Sequence, residues 1–155
     1  MTRKSAGILM YKRTADGILV LLVHPGGPFW SRRDLGAWSI PKGEYAESEE
    51  PETAARREFA EELGKEPEGT LRPLGEIRQA GGKFVVAFAL EGDFDVTDLR
   101  SNTFEMEWPP RSGRFQAFPE VDRAEWLTLS RARDKIIAGQ RPLLDRLEAM
   151  LGRSS

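Results

Sequence analysis

Cysteine is absent from the 155 residues of this chain, and histidine occurs once, as His24. Without cysteine the chain can form no disulfide, no thiolate metal site and no cysteine nucleophile. A single histidine cannot supply a histidine-based metal centre on its own. Any metal that this chain binds is therefore expected to be held by oxygen ligands, which hard divalent cations prefer.

The chain also lacks an excess of charge of one sign and a long apolar run. Its 23 Lys and Arg residues nearly balance 25 Asp and Glu residues, for a net charge of −2. This balance does not favour binding to duplex nucleic acid or to an anionic membrane surface. The apolar run near the N-terminus is too short for a signal peptide or a membrane span. We therefore expect a soluble, cytoplasmic protein, monomeric or homodimeric, with one domain spanning residues 1–155.

Apolar runs with turn signals between them predict seven strands and three helices. The run at residues 18–24 is apolar on both faces, which is typical of a central strand in a covered sheet. Strands interleaved with helices predict an α+β fold whose mixed sheet is covered on both faces. The predicted strands are residues 6–12, 18–24, 37–40, 71–78, 83–90, 102–108 and 123–127, and the predicted helices are residues 51–63, 130–138 and 141–151.

The predicted helix at residues 51–63 carries an unusual concentration of acidic side chains. Pro51 suits the first helical position and Gly64 suits the left-handed position after the last turn. At 100° per residue, Glu58, Glu61 and Glu62 fall within one quadrant of the helix. Because Glu58 and Glu62 are a like-charge pair one turn apart, something must offset their repulsion. A solvated acidic face is the simpler interpretation, and a divalent cation is the functional one.

The spacing of eight residues around this helix resembles the Nudix box, G-x5-E-x7-R-E-U-x-E-E-x-G-U, where U is a bulky apolar residue. Lys65 is the one departure, because the family usually has an apolar residue there. The resemblance implies an α/β/α sandwich with a central mixed sheet, and an enzyme that hydrolyses a phosphoanhydride bond in a nucleoside diphosphate derivative. The matching residues are Gly43, Glu49, Arg57, Glu58, Phe59, Glu61, Glu62 and Gly64.

The resemblance also implies which residues hold a metal ion. In Nudix enzymes the box glutamates and the carbonyl of the first glycine commonly coordinate Mg²⁺, with Mn²⁺ as a possible substitute. Glu49 and Arg57 would then form an ion pair that fixes the loop against the helix, although an incidental surface pair is the alternative. Transferred to this chain, the implied metal ligands are Gly43, Glu58, Glu61 and Glu62.

The general base stays open between a box glutamate, Glu58 or Glu61, and a carboxylate from a later loop. Many family members have a Glu six residues before a Trp near the last strand, and Glu120 stands so before Trp126. The resemblance therefore makes Glu120 a candidate metal ligand or base, with a plain surface residue as the alternative. Glu105 and Glu107 are rival candidates for the base.

Four residues before the helix are candidates for binding substrate. Lys42 can present its ammonium to a phosphate, and Arg32 and Arg33 can do the same. Trp30, or its neighbour Phe29, can stack on a base; the alternative is a loop that packs its aromatic side chains against the core edge. His24, at a strand end before Pro25, is more often a structural residue than a catalytic or phosphate-binding one.

The sequence leaves the substrate open. The segment Trp38-Ser-Ile-Pro-Lys-Gly43 resembles Nudix members that act on dinucleoside polyphosphates or oxidised nucleoside triphosphates. Downstream residues support neither class, because Ala80 stands where members acting on ADP-ribose often have Pro, and Gly81 and Gly82 stand where members acting on dinucleoside polyphosphates often have Tyr. ADP-ribose or another nucleotide sugar is the alternative substrate. A non-catalytic nucleotide-binding module is the other alternative, which the complete set of box carboxylates disfavours.

Overall fold

The computed structural model describes residues 4–152 of the chain, which form eight strands and three α-helices. Six strands build one sheet and two form a separate hairpin. The strands are β1 (Lys4–Thr14), β2 (Gly17–Pro25), β3 (Lys42–Glu44), β4 (Arg72–Gln79), β5 (Lys83–Glu91), β6 (Thr103–Glu107), β7 (Phe115–Pro119) and β8 (Val121–Thr128). The helices are α1 (Pro51–Leu63), α2 (Leu129–Lys135) and α3 (Arg141–Met150).

The large sheet has the order β4-β5-β1-β2-β8, with β3 added beside β1. β1 and β5 are parallel and the other pairs are antiparallel, so the sheet is mixed. On its other edge β1 pairs with β3 through Ser5–Gly7 and with β2 through Tyr11–Thr14. The short strand β3 therefore lies where β2 has left β1.

Two apolar clusters cover the two faces of this sheet. Alternation along β1 sends Ile8 to one cluster and Leu9 to the other, as the period of a strand requires. α1 covers one face with Phe59 and Leu63, whereas α2 and α3 cover the other. The predicted α/β/α sandwich with a central mixed sheet is confirmed.

Helix α1 begins and ends where the sequence predicts. Pro51 lies in its first turn, and Gly64 adopts φ 86° while its N–H donates to the carbonyl of Ala60. A left-handed residue at this position favours glycine, because glycine has no Cβ to clash. Ala55 and Phe59 are buried against the sheet, which leaves the glutamates along the flank of the helix.

The prediction of a strand at residues 37–40 is wrong. Ser39 makes one isolated bridge to Val23, Trp38 makes another to Ile136, and the strand begins only at Lys42. Ala37, Trp38 and Ile40 are buried because their segment passes between β2 and the end of α2, without belonging to a continuous ladder. Pro41 also has no N–H to donate to a ladder.

Strand β7 was not predicted from the sequence. β6 pairs with β7 through Phe104↔Phe118 and their neighbours, and the resulting hairpin stands apart from the large sheet. α2 is also shorter than predicted, because Ile136 is extended and caps it after Lys135. Within residues 4–152, no helix is both long enough and apolar enough to cross a membrane.

Candidate active site

Strand β3 and helix α1 meet at Gly43. A Cβ at this position would occupy the place of the Glu58 carboxylate, so the close approach of strand and helix requires glycine. Glu58 is largely shielded, with 12% of its side chain exposed. Burial raises the pKa of Glu58, while its hydrogen bond from Arg57 acts in the opposite direction.

Arg57 ties the loop before α1 to the helix. Its Nε and Nη2 donate to the two carboxylate oxygens of Glu49 at 3.0 and 2.9 Å. Its Nη1 donates to Glu58 at 2.6 Å and lies 3.4 Å from Glu61. Hydrogen bonding to Arg57 lowers the pKa of Glu49. One guanidinium therefore organises three carboxylates, with the planar geometry that suits paired oxygens.

Glu62 is the most strongly perturbed acid of the site. Burial, and secondarily the charge of Glu58, raise its pKa to about 8. The charge and backbone N–H of Lys42 oppose this shift, whereas Glu120 adds to it. Burial also lowers the pKa of Lys42, and the charge of Glu62 opposes that shift. Both side chains lie in a region with little water to support their charges.

A cavity of about 230 Å³ opens beside these residues. The basic side chain of Lys42 and the acidic side chain of Glu62 both line it. Glu120 lines it from the segment before β8, and Trp30 lines it from the loop after β2. Residues from four separate segments therefore converge on one space. Its remaining walls are largely apolar, including Val23, Ala37, Ile40, Val121 and Ile137.

Glu120 lines the cavity, and its backbone is fixed by hydrogen bonds on both sides. Its N–H donates to the carbonyl of Asn102 at 2.8 Å, and its carbonyl accepts from Gly26 at 2.9 Å. The N–H of Asn102 in turn donates to the carbonyl of Glu61 at 2.9 Å. These bonds connect Glu120 to the last turn of α1, which carries Glu61 and Glu62.

Other candidates lie outside the cavity lining. Arg32 is exposed, and the Arg33 guanidinium lies 5.5 Å from the ring centroid of Trp30. Glu105 is exposed on β6. Glu107 accepts a hydrogen bond from the N–H of Gly113 at 2.8 Å, which gives it a role in the hairpin turn.

His24 is an anchoring residue. It is fully buried, with Nδ1 2.8 Å from a carboxylate oxygen of Asp122 and Nε2 2.6 Å from the carbonyl oxygen of Arg33. Its ring packs edge-on against Trp38 with centroids 5.2 Å apart. These contacts fasten the loop after β2 to β8 and support the structural interpretation of this histidine.

Sequence reasoning missed Trp108 and Phe104. The ring of Phe29, 63% exposed, stands edge-to-face on Trp108 with centroids 5.7 Å apart, and Phe104 lies over Gly27. Phe29 therefore packs on the hairpin and not against the core edge. The alternation at residues 102–108 was a visible signal, but the loop that this face contacts is about 75 residues earlier in the chain.

No three Asp, Glu or His side chains within residues 4–152 meet in an arrangement that surrounds a metal ion. Arg57 stands between Glu58 and Glu61, which accounts for part of this result. The donors still fit a hard divalent cation, since all are oxygens and Glu58 lies against Gly43. Burial raises the pKa of Glu62, and a cation bound nearby would favour its charged form.

The α/β/α fold and the Nudix box together define a class of enzymes that cleave phosphoanhydride bonds. Comparison with known proteins places the chain in the same class. The NUDIX domain family model matches residues 1–147, so the chain belongs to the Nudix family. Together with its similarity to solved Nudix hydrolases, this membership makes the protein a pyrophosphohydrolase. A search among curated proteins finds no match.

Three solved structures illustrate the similarity. A Caenorhabditis elegans Ap4A hydrolase binary complex is 25% identical over 96% of this chain and 97% of its own, with a TM-score of 0.65. The NUDIX domain of Shewanella oneidensis NrtR, complexed with ADP ribose, is 18% identical over 97% and 89%, with a TM-score of 0.66. MutT protein from Methanosarcina mazei Go1 is 19% identical over 98% and 96%, with a TM-score of 0.64.

Proposed function

We propose that the protein is a Mg²⁺-dependent hydrolase of a phosphoanhydride bond in a nucleoside polyphosphate, either a dinucleoside polyphosphate or an oxidised nucleoside triphosphate. The observation that carries this proposal is the shared cavity, which is lined by Lys42, Glu62, Glu120 and Trp30. Charged groups for a polyphosphate and a flat apolar surface for a base therefore border one space. The 25% identity to an Ap4A hydrolase supports a dinucleoside polyphosphate.

In this proposal, Glu58, Glu61, Glu62 and the carbonyl of Gly43 hold the cation. When bound, Mg²⁺ neutralises phosphate charge and activates a water molecule. Arg57 keeps the Glu58 carboxylate against Gly43, and its Nη1 also lies within 3.5 Å of both carboxylate oxygens of Glu61. Catalysis of phosphoryl transfer depends mostly on such positioning and on charge stabilisation.

Lys42 pairs with a phosphate group of the substrate. Its ammonium lies in a poorly solvated place, where burial lowers its pKa. An arriving phosphate supplies the negative partner that favours the charged form of Lys42. The guanidinium of Arg33, 5.5 Å from the ring centroid of Trp30, can add a second positive charge near that ring.

Glu120 is the proposed acceptor of the proton from the attacking water, or an additional ligand of the cation. Its side chain is exposed at the cavity mouth while its backbone is fixed to Asn102 and Gly26. A carboxylate held there can take a proton from water and pass it to solvent.

A substrate panel tests the proposal. Purified protein with Mg²⁺ is incubated with dinucleoside polyphosphates, oxidised and ordinary nucleoside triphosphates, ADP-ribose and nucleotide sugars, and the products are separated by chromatography. We expect turnover of a nucleoside polyphosphate to exceed that of the sugar derivatives. Preferred cleavage of ADP-ribose would make the alternative substrate class correct, and binding without cleavage of any compound would contradict the enzymatic role.

A further inference from the structure

The β6–β7 hairpin, residues 103–119, has both of its ends at the active site. At its start, the N–H of Asn102 donates to the carbonyl of Glu61 in α1. At its end, Glu120 bonds through its N–H to Asn102 and through its carbonyl to Gly26. Val121 adds a bond from its N–H to the hydroxyl of Ser101 at 3.0 Å. The base of the hairpin is therefore fixed between the box helix and the loop after β2.

One face of the hairpin packs on that loop, residues 26–36. The ring of Phe104 lies over Gly27, where an added Cβ would be 3.1 Å from Cζ of the ring. The carbonyl of Pro119 stands where a Cβ on Gly26 would lie. Two consecutive glycines are therefore needed for the loop to approach the hairpin this closely. Phe29 adds its edge-to-face contact with Trp108.

Trp30 follows these contacts directly in the chain and lines the cavity. Its N–H lies 3.4 Å from the carbonyl of Gly27, and its own carbonyl accepts from Arg33 at 3.0 Å. The loop is held after Trp30 by His24, which bonds to the carbonyl of Arg33, and before Trp30 by the contacts of Gly27 and Phe29. Gly27 and Phe29 are both held by the hairpin.

We propose that the hairpin is the specificity element of this enzyme, and that Trp108 and Phe104 are positioning residues for Trp30. Trp108 holds the loop through Phe29, and the loop presents Trp30 to the nucleoside part of the substrate. Trp108 lies near the turn of the hairpin, whereas the base of the same hairpin holds Glu120 beside the phosphate-binding residues. Recognition of the nucleoside and placement of Glu120 are thus built on one element. This inference rests on the proposed function.

Hydrogen exchange tests the positioning role without any substrate. The variant Trp108→Ala should raise the exchange rates of the amides of Trp30 and Arg33 at least about fivefold, because local opening of the loop costs less. Phe29→Ala removes the same contact from the other side and should reproduce this change. The matched control is Phe115→Ala, since Phe115 is 67% exposed and lies on the opposite face of the hairpin. Equal exchange in Trp108→Ala and Phe115→Ala would overturn the positioning role.

Binding of two kinds of probe tests the specificity role. The probes are the four nucleoside monophosphates and methylenediphosphonate, which has no nucleoside, each measured with Mg²⁺. Trp108→Ala should lower the affinity for the mononucleotide that binds best at least about fivefold. It should change the affinity for methylenediphosphonate less than about twofold. Trp108→Phe should restore most of the affinity, because it keeps an aromatic ring against Phe29.

Each other outcome has a defined meaning. If Trp108→Ala lowers the affinity for both kinds of probe equally, or lowers neither affinity, the specificity role is contradicted. Binding of methylenediphosphonate but of no mononucleotide by the wild-type protein also contradicts it, while the phosphoanhydride activity stands. If the wild-type protein binds neither probe with Mg²⁺, the proposed function fails, and the exchange rates still decide whether Trp108 positions Trp30.

Discussion

The carboxyl of Glu62 and the ammonium of Lys42 line the same cavity, and burial shifts the pKa of each toward its neutral form. Each charge partly offsets the shift of the other. Such a pair is costly in a folded protein, because both groups lose water. The pair is explained if the cavity receives a cation beside Glu62 and an anion beside Lys42.

Binding of Mg²⁺ should release a proton at neutral pH. Since the pKa of Glu62 is about 8 in the metal-free protein, most of this carboxyl is protonated at pH 7 and must ionise to bind a cation. Calorimetric titration in buffers of different ionisation enthalpy measures this release. We expect close to one proton at pH 7 and almost none at pH 9.5. Absence of proton release at pH 7 would mean that Glu62 is already ionised or is not a ligand.

The same residue makes the metal-free protein less stable as pH rises. The pKa of Glu62 is raised from roughly 4.5 in the unfolded chain to about 8 in the folded protein. Its contribution to stability is therefore fully present below pH 4.5 and is lost as pH rises through about 8. Glu62→Gln should therefore increase the free energy of unfolding by at least about 1 kcal/mol at pH 9 and change it little at pH 4.5. Urea unfolding with chelator present measures both values, and exposed Glu47→Gln serves as the control.

Arg57 should matter more for activity than for stability. The salt bridge between Arg57 and Glu49 is partly exposed. Such salt bridges contribute little to the free energy of unfolding, typically under about 1 kcal/mol. Arg57→Lys cannot keep two bonds to Glu49 and one to Glu58 together, so kcat should fall at least about tenfold. Steady-state kinetics and thermal unfolding separate the two effects. A loss of stability with unchanged kcat would assign Arg57 to the fold alone.

Glu120→Gln distinguishes a proton acceptor from a metal ligand. If Glu120 takes the proton from water, the variant should lose kcat strongly, keep its affinity for Mg²⁺ and lose the acidic limb of the pH–rate profile. If Glu120 is a ligand, a higher Mg²⁺ concentration should restore much of the rate by mass action. A change in rate below about threefold, roughly 0.7 kcal/mol, at limiting Mg²⁺ would show that Glu120 is a surface residue.

The sequence predicted the box helix well because its information is local. Pro51 and Gly64 mark the ends of α1, and the spacing of Glu58, Glu61 and Glu62 determines their shared side once the helix exists. Most strands of the large sheet were predicted for the same reason, since their apolar runs are long and buried.

The packing of the β6–β7 hairpin on the loop after β2 could not be predicted, because it joins segments that are far apart in the chain. β7 is mostly exposed, and Phe115 and Pro119 do not follow the alternation of a half-buried strand. Without β7 there is no hairpin, and Phe104 and Trp108 then have no known partner among the residues before the box. The burial of residues 37–40 was visible, but burial does not tell a continuous ladder from isolated bridges.

The most direct test of the account is the initial rate of phosphoanhydride cleavage as a function of Mg²⁺ concentration, for the wild-type protein, Glu58→Gln and Glu62→Gln. We predict a saturable dependence on Mg²⁺, no turnover in excess chelator, and a kcat at least about a hundredfold lower in each variant. Exposed Glu47→Gln should behave as the wild-type protein does. Full turnover in excess chelator, or near-wild-type rates in both box variants, would contradict the claim that these carboxylates hold the catalytic cation.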